Sequence, residues 1–189
     1  MLDATLESER LLIRPFKLGD EEDVFAFSSD EEVNRYTGDI MRTSLNDAKK
    51  IITDVWLPDY KNYGYGRFAV IYKPENKIIG FNGFKYHPDL DFTDFGYRFL
   101  SQYWGKGIAT ESSKMLLEYG FNNLPIDEVL GFVMEENKAS SVVLKKIGFQ
   151  YLKYAGYPGE GEEKKYEWYS ITKKEYESLK ISETHNKTN

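Results

Sequence analysis

A strand-like segment, Asp94 to Leu100, runs directly into Trp104-Gly105-Lys106-Gly107-Ile108-Ala109-Thr110. A stretch with Ile108, Met115, Leu116 and Tyr119 on one helical face follows. Two glycines at a strand-to-helix junction allow a tight turn and close backbone approach by a ligand. The first amides of such a helix lack intrahelical acceptors and lie at the positive end of its dipole, so the junction suits a phosphate. Lys106 adds a positive charge between the glycines. Two phosphate-binding motifs fail here. A P-loop needs Ser or Thr after Gly-Lys, where Gly107 stands; a dinucleotide fingerprint needs Gly or Ala where Thr110 stands, and an early strand before it. Read locally, Gly105 and Gly107 could equally do no more than turn the chain and cap the helix.

A second group of chemical interest is Asn137-Lys138-Ala139-Ser140, just after a strand, with Lys145-Lys146-Ile147-Gly148-Phe149 closing the next helix. Taken singly, Asn137 and Ser140 read as helix caps, Gly148 as a C-cap and Phe149 as core. Other chemistries are excluded more firmly. With no cysteine there is no disulfide framework, thiol nucleophile or thiolate metal site. Of the two histidines, His185 lies in a polar tail and His87 precedes Pro88 at a strand end, where it reads as a solvated loop residue. A Ser-His-Asp hydrolase or a histidine-rich metal centre would have to be built on that one side chain.

The 189 residues and net charge of −6 frame these sites. A chain of this size supports one core rather than two domains. Its negative charge repels phosphate backbones, which argues against nucleic-acid binding, and biases ligand encounter toward cations. Every apolar run is far shorter than the 18 or so residues of a membrane span, so a soluble cytoplasmic protein is expected. Asn186-Lys187-Thr188 spells a glycosylation sequon that reads as chance without a secretory signal.

The elements that must hold these sites follow from periodicity and punctuation. Arg10 to Arg14 predicts a first strand and Leu18 to Ser29 an acid-loaded helix. Ser44-Leu45-Asn46-Asp47 opens a second helix, with Ile51, Ile52, Val55 and Trp56 at helical spacing, that stops before Pro58. Arg67–Tyr72 and Lys77–Tyr86 predict a hairpin, and Asp94–Leu100 a third strand of the meander. Then come the glycine turn and its helix, a strand over Glu128–Met134, a helix over Lys138–Ile147 and a strand over Gly148–Tyr154. After a turn at Tyr157-Pro158-Gly159, Lys165–Ile171 is the last strand. Thr172-Lys173-Lys174-Glu175 is a capping box opening a terminal helix. The expected organisation is one mixed α/β domain over residues 1–181 with a disordered tail at 182–189.

In combination these pieces carry more than they do singly. The Arg10-Leu11-Leu12-Ile13-Arg14 start, Phe95-Gly96-Tyr97, the run WGKGIATE from Trp104 to Glu111, and Asn137-x-x-Ser140…Gly148-Phe149 occur in an order and spacing that resemble the GNAT acetyltransferase superfamily, specifically its RimJ/RimL-type branch. The resemblance spans Leu6 to Ile171. It implies a mixed, mainly antiparallel central sheet, flanked by helices and splayed open between the strands around Phe95–Leu100 and Glu128–Met134. It also implies acetyl-CoA as co-substrate and no metal. By that resemblance Phe99 is the pantetheine-contacting residue, its amide polarising the thioester carbonyl. Trp104, Gly105, Lys106, Gly107, Ile108 and Ala109 form the pyrophosphate turn, and Thr110 begins the helix proper. Asn137 and Ser140 approach the thiol end, and Asp94 matches a carboxylate several members use as base, usually a glutamate. The family's turn pattern, Gln/Arg-x-x-Gly-x-Gly/Ala, is read here from Trp104, the frame in which Ala109 and Glu111 also fit; a second frame begins at Gln102. Many members carry a tyrosine as general acid where this chain has Leu144, so Ser140, Ser141 or water must take that part.

The implied reaction is acetyl transfer to an amine, which must be neutral to attack. At pH 7 about one α-amine in ten is neutral, against about one lysine in a few thousand. A protein N-terminus therefore asks least of the base, and Asp94 serves as one only if burial raises it or it works through water. The expected partner is a protein N-terminus or a small cationic amine, with a homodimer among the possible assemblies. Tyr36, Trp56, Tyr63 and Tyr65 lie where the family lines its acceptor pocket, or are ordinary core. Two alternatives remain: an acetyltransferase for polyamines or amino-sugar antibiotics, and a catalytically silent acyl-CoA-binding module.

Overall fold

In a computed structural model the protein is described over residues 4–37, 40–158 and 164–185. The strands are β1 (Leu6–Glu7), β2 (Leu11–Pro15), β3 (Arg67–Tyr72), β4 (Lys77–His87), β5 (Phe92–Phe99), β6 (Glu128–Met134), β7 (Gln150–Gly156) and β8 (Lys165–Thr172). The helices are α1 (Glu21–Ser28), α2 (Glu31–Asn34), α3 (Leu45–Ile51), α4 (Leu57–Tyr63), α5 (Ile108–Asn123), α6 (Lys138–Lys146) and α7 (Lys173–His185). The strands form one sheet in the order β1-β2-β3-β4-β5-β6-β8-β7. Neighbours are antiparallel except β5 and β6, which are parallel and joined through α5.

Side chains alternate between two faces of this sheet. On one face Phe68, Val70, Phe84, Phe95 and Phe99 pack with Ile108, Leu116, Leu117 and Phe121 of α5, Leu144 of α6 and Tyr176 of α7. On the other, Ala69, Ile71 and Ile78 pack with Val24 and Phe27 of α1, Ala48 of α3, and Trp56 and Tyr60 around α4. β3 is buried on both faces, which is why its sequence reads as a nearly unbroken apolar run. One polar contact fixes α5 within this packing. Asn82 of β4, fully buried, donates to Ser112 Oγ at 2.8 Å and Ser113 Oγ at 2.9 Å on that helix.

The predicted helix beginning at Ser44 does not end before Pro58. A π-helical turn over Ile52–Trp56 follows α3 and leads into α4, with Pro58 in its first turn. A proline costs little there, because first-turn amides have no helical acceptor to lose. Thr172 and Glu175 make the expected capping box, with Thr172 N–H donating to Glu175 Oε2 at 2.8 Å and Glu175 N–H to Thr172 Oγ1 at 3.3 Å. The helix it opens runs past Ser182, where a disordered tail was expected, as far as His185. Asn186 to Asn189, with most of the sequon, and Gly159 of the predicted turn lie outside the described residues. Among the described residues no helix is long and apolar enough to cross a membrane.

Candidate active site

The sheet comes apart at its one parallel seam. β5 and β6 are in register at a single position, Asp94 opposite Leu130, whereas β4 and β5 pair from Gly80–Phe99 to His87–Phe92. Leu100 N–H donates to Ile79 O at 2.9 Å. By the alternation of an antiparallel ladder, the peptide groups of Tyr97 and Phe99 therefore point away from β4, into the widening gap. This is the splay expected from the sequence, and Phe99 lies on its lip. Tyr97 reaches across it: its hydroxyl donates to Ser140 O at 3.2 Å at the start of α6, and its ring lies 6.3 Å from that of Phe99. Burial pushes the Tyr97 phenol up to about 12, so it stays a proton donor at neutral pH.

The turn after β5 opens onto the same gap. A 3-10 turn over Ser101–Tyr103 precedes it, and Trp104 Nε1 donates to Phe99 O at 2.7 Å, tying the turn to the end of the strand. Gly105 and Gly107 both sit in the left-handed region, at φ of 70° and 75°, where a side chain would be strained. Gly107 caps α5 without any side-chain bond, and the first amide to return is Glu111 N–H to Gly107 O at 3.0 Å. Among the described residues no protein acceptor engages the amides of Gly105 to Thr110. The chain holds this shape from the β1–β2 turn: Arg10 Nε donates to Glu111 Oε2 at 2.6 Å and Nη2 to Lys106 O at 2.8 Å, while Ser8 Oγ donates to Glu111 Oε1 at 2.7 Å. Lys106 is exposed, its ammonium 5.3 Å from the Tyr103 ring. Open amides, a cation and a gap wide enough to separate two strands are what a diphosphate with a narrow thiol-bearing arm requires.

Across the gap, Asn137 caps α6 by accepting Ser140 N–H at 3.2 Å, as its local reading had it. Leu144 is buried in the core and brings no hydroxyl to the site. Ser141 is also buried and donates to Glu167 Oε2 at 2.6 Å, which leaves Ser140, half-buried, as the serine open to a ligand. Hydrogen bonds from Ser141 and Tyr169, with Lys138 nearby, hold the Glu167 carboxyl down to about 2. A depressed carboxylate stabilises the fold above its ordinary titration range and loses that contribution as pH falls toward the folded value. Glu167→Gln is therefore expected to flatten the loss of stability between about pH 5 and pH 2, as read by urea unfolding at stepped pH.

On the opposite face of the sheet, at the vertex of the gap, lies a cluster that the sequence reading missed. Asp94 accepts from Arg67 Nη2 through Oδ1 and from His87 Nε2 through Oδ2 at 2.6 Å. Arg67 also bonds Gly83 O and lies against Gly96, where any Cβ would stand 3.0 Å from Nη2; the guanidinium takes the space a side chain would fill. His87 Nδ1 meets the Tyr157 hydroxyl at 3.1 Å. His87 is thus no solvated loop residue: it ends β4 with its side chain 18% exposed. Burial drives the Asp94 carboxyl up, but Arg67 and His87 outweigh it and hold the group below the usual carboxylate range. Nearby Asp59 of α4 goes the other way, raised by burial with Oδ2 buried and unpartnered. The register was the available signal: Arg67 pairs Gly83, Gly83 pairs Gly96 and Lys85 pairs Asp94, so the hairpin itself brings the cluster together.

The comparisons with known proteins agree with this geometry. A family described as an acetyltransferase (GNAT) domain matches residues 10–150. An N-acetyltransferase of Bacillus licheniformis, p20, itself uncharacterised, is 31% identical over 150 residues, covering 77% of this chain and 82% of its own. The crystal structure of a GNAT-family acetyltransferase from Bacillus anthracis superposes with a TM-score of 0.76 at 26% identity, over 90% of this chain and 99% of that one. RimL, a ribosomal L7/L12 α-N-protein acetyltransferase solved with CoA, superposes at 0.77 over 89% and 98% of the two chains. A spermidine N-acetyltransferase from Vibrio cholerae, solved with CoA and spermine, does so at 0.70 over 89% and 99%. At 15% identity each, these last two show the fold alone. The chain belongs to the GNAT acetyltransferase family, and it is an N-acetyltransferase.

Proposed function

We propose that the protein transfers an acetyl group from acetyl-CoA to a primary amine, and that its acceptor is the α-amine of a cytoplasmic protein, as in the RimJ/RimL branch. The observation that carries the first part is the coincidence of the β5–β6 gap with the unengaged amides of Gly105 to Thr110. Trp104, Gly105, Lys106, Gly107, Ile108, Ala109 and Thr110 would hold the diphosphate, and Phe99, Asn137 and Ser140 the arm and its thiol end. When bound, the coenzyme supplies an activated acetyl thioester. The chain's own part is to orient and to manage protons. Phe99 N–H faces the gap as a donor for a carbonyl. Ser140 offers a donor at the thiol end in place of the hydroxyl that Leu144 lacks. Asp94, kept ionised by Arg67, marks the acceptor side of the sheet.

An α-amine is favoured as acceptor because a useful fraction of it is already neutral at pH 7. A small polyamine is the second class, since RimL and the spermidine enzyme resemble this fold almost equally. The test is a thermal melt with acetyl-CoA followed by thiol release with peptide and amine panels. Ligand at about 100 times its dissociation constant is expected to add about 2.7 kcal/mol of stability. No shift in melting temperature refutes the coenzyme site. A shift without thiol release from any amine identifies a silent acyl-CoA-binding module, the reading that Leu144 keeps open.

A further inference from the structure

The aromatic and ionic cluster beneath the gap has a directed hydrogen-bond order. Asp94, ionised by its contact with Arg67, can only accept, so the proton on their shared bond belongs to His87 Nε2. In the neutral imidazole Nδ1 is then the lone-pair atom, and the Tyr157 hydroxyl 3.1 Å away donates to it. Tyr157 also spans the seam. Its ring packs edge-on 5.1 Å from Phe132, two residues beyond Leu130 on the β6 lip, while its hydroxyl returns to β4 on the far side of β5. Phe92 lies between, 4.9 Å from the His87 ring and 5.6 Å from Phe132, and shields the pair.

We propose that Tyr157 and His87 form the relay that takes the acceptor's proton, with Asp94 as the residue that positions the imidazole. An N–H bond of the ammonium breaks and leaves its electron pair on nitrogen for attack. That proton goes to Tyr157 Oη as the tyrosine's own proton goes to His87 Nδ1. The imidazolium so formed lies against Asp94 and later releases its proton to water. This assignment rests on the acetyltransferase reading above and replaces Asp94 as the direct base. A carboxylate already bonded to an arginine and a histidine is poor at taking a proton, whereas the neutral imidazole keeps its Nδ1 lone pair turned to the tyrosine hydroxyl. The charged groups gathered around the imidazole's partner Asp94 and the neighbouring Asp59 are Arg67 on β3 and Lys85 on β4.

The test pairs kinetics with a spectroscopic readout that needs neither coenzyme nor acceptor. The chain has two histidines, so in a His185→Gln background nitrogen-15 NMR reports on His87 alone. The relay requires the Nε2–H tautomer and a His87 titration that moves in Tyr157→Phe; an Nδ1–H tautomer overturns it. His87→Gln keeps a donor for Asp94 and Tyr157→Phe keeps the ring. Each is expected to lower kcat/KM near neutral pH by about a hundredfold and to change the acid limb of the pH profile, with CoA affinity unchanged. The double variant is expected to fall no further, because the two act as one unit. If the wild type turns over and both variants match it within twofold, the relay alone is refuted. If the wild type binds CoA but acetylates no amine, the enzymatic reading fails, and the relay with it.

Discussion

Replacing Gly107 by glutamate is expected to raise the dissociation constant for CoA about a thousandfold while leaving the fold intact. The strain is small: a left-handed residue with a side chain costs about 1 kcal/mol, and a Cβ here would meet nothing closer than Arg10 Nη2 at 3.5 Å. The charge is what matters. A carboxylate held among the amides of Ile108, Ala109 and Thr110 would compete for the place proposed for the diphosphate, and two like charges there would meet at about 4 Å. At a surface-like dielectric that repulsion is about 4 kcal/mol, which is about three powers of ten in affinity. It also offers Arg10 a second carboxylate and so competes with the Glu111 contact that shapes the turn. Gly107→Ala separates the effects, since it carries only the strain, which is a cost to folding of about 1 kcal/mol present with or without ligand, and is expected to leave CoA affinity within about threefold of wild type. Calorimetric titration with CoA decides it. Binding by the glutamate variant within tenfold of wild type means that the diphosphate sits elsewhere.

That turn was legible because everything it needs is local. Glycine spacing, the change from a two-residue to a helical period, and the capping signals all lie within a few residues of one another. The cluster beneath the gap was not legible in the same way. Arg67, His87, Asp94 and Tyr157 are separated by up to 90 positions, and each has an ordinary reading alone. His87 before a proline looks like a loop residue until β4 is seen to continue through it and lay it beside Asp94. Asn82 has no sequence signal that distinguishes a strand amide from a polar anchor between β4 and α5. Pro58 misled for a different reason. A proline is a reliable helix breaker only where its missing amide and its ring disturb the preceding turn, and the π-turn over Ile52–Trp56 shifts those partners.

Asp94→Ala is expected to cost about 3–5 kcal/mol of stability, the range for removing one partner of a buried ion pair. The reason is what stays behind. Arg67, with its side chain 13% exposed, would keep its charge under the sheet without its hydrogen-bonded carboxylate, and His87 would lose the acceptor that fixes its tautomer. Asp94→Asn keeps the shape and removes the charge. It is expected to fold with a smaller penalty, yet to lose acetyl transfer as severely as His87→Gln, because a neutral amide brings no charge to steady the imidazolium and can turn its NH2 to the ring, so the Nε2–H tautomer is no longer fixed. The sign of the pH dependence separates structure from catalysis. Since Arg67 and His87 hold the Asp94 carboxyl below its ordinary range, its contribution to stability is complete at neutral pH and disappears only as pH falls through the depressed value. Denaturant midpoints of Asp94→Asn should therefore begin to approach those of wild type as pH falls through the ordinary carboxylate range, where the unfolded chain takes up the proton, and meet them only below the depressed native value. Its turnover should stay low across the range in which wild type is active. A variant with normal turnover at neutral pH would leave Asp94 a structural acid and detach the proton route from the vertex of the gap.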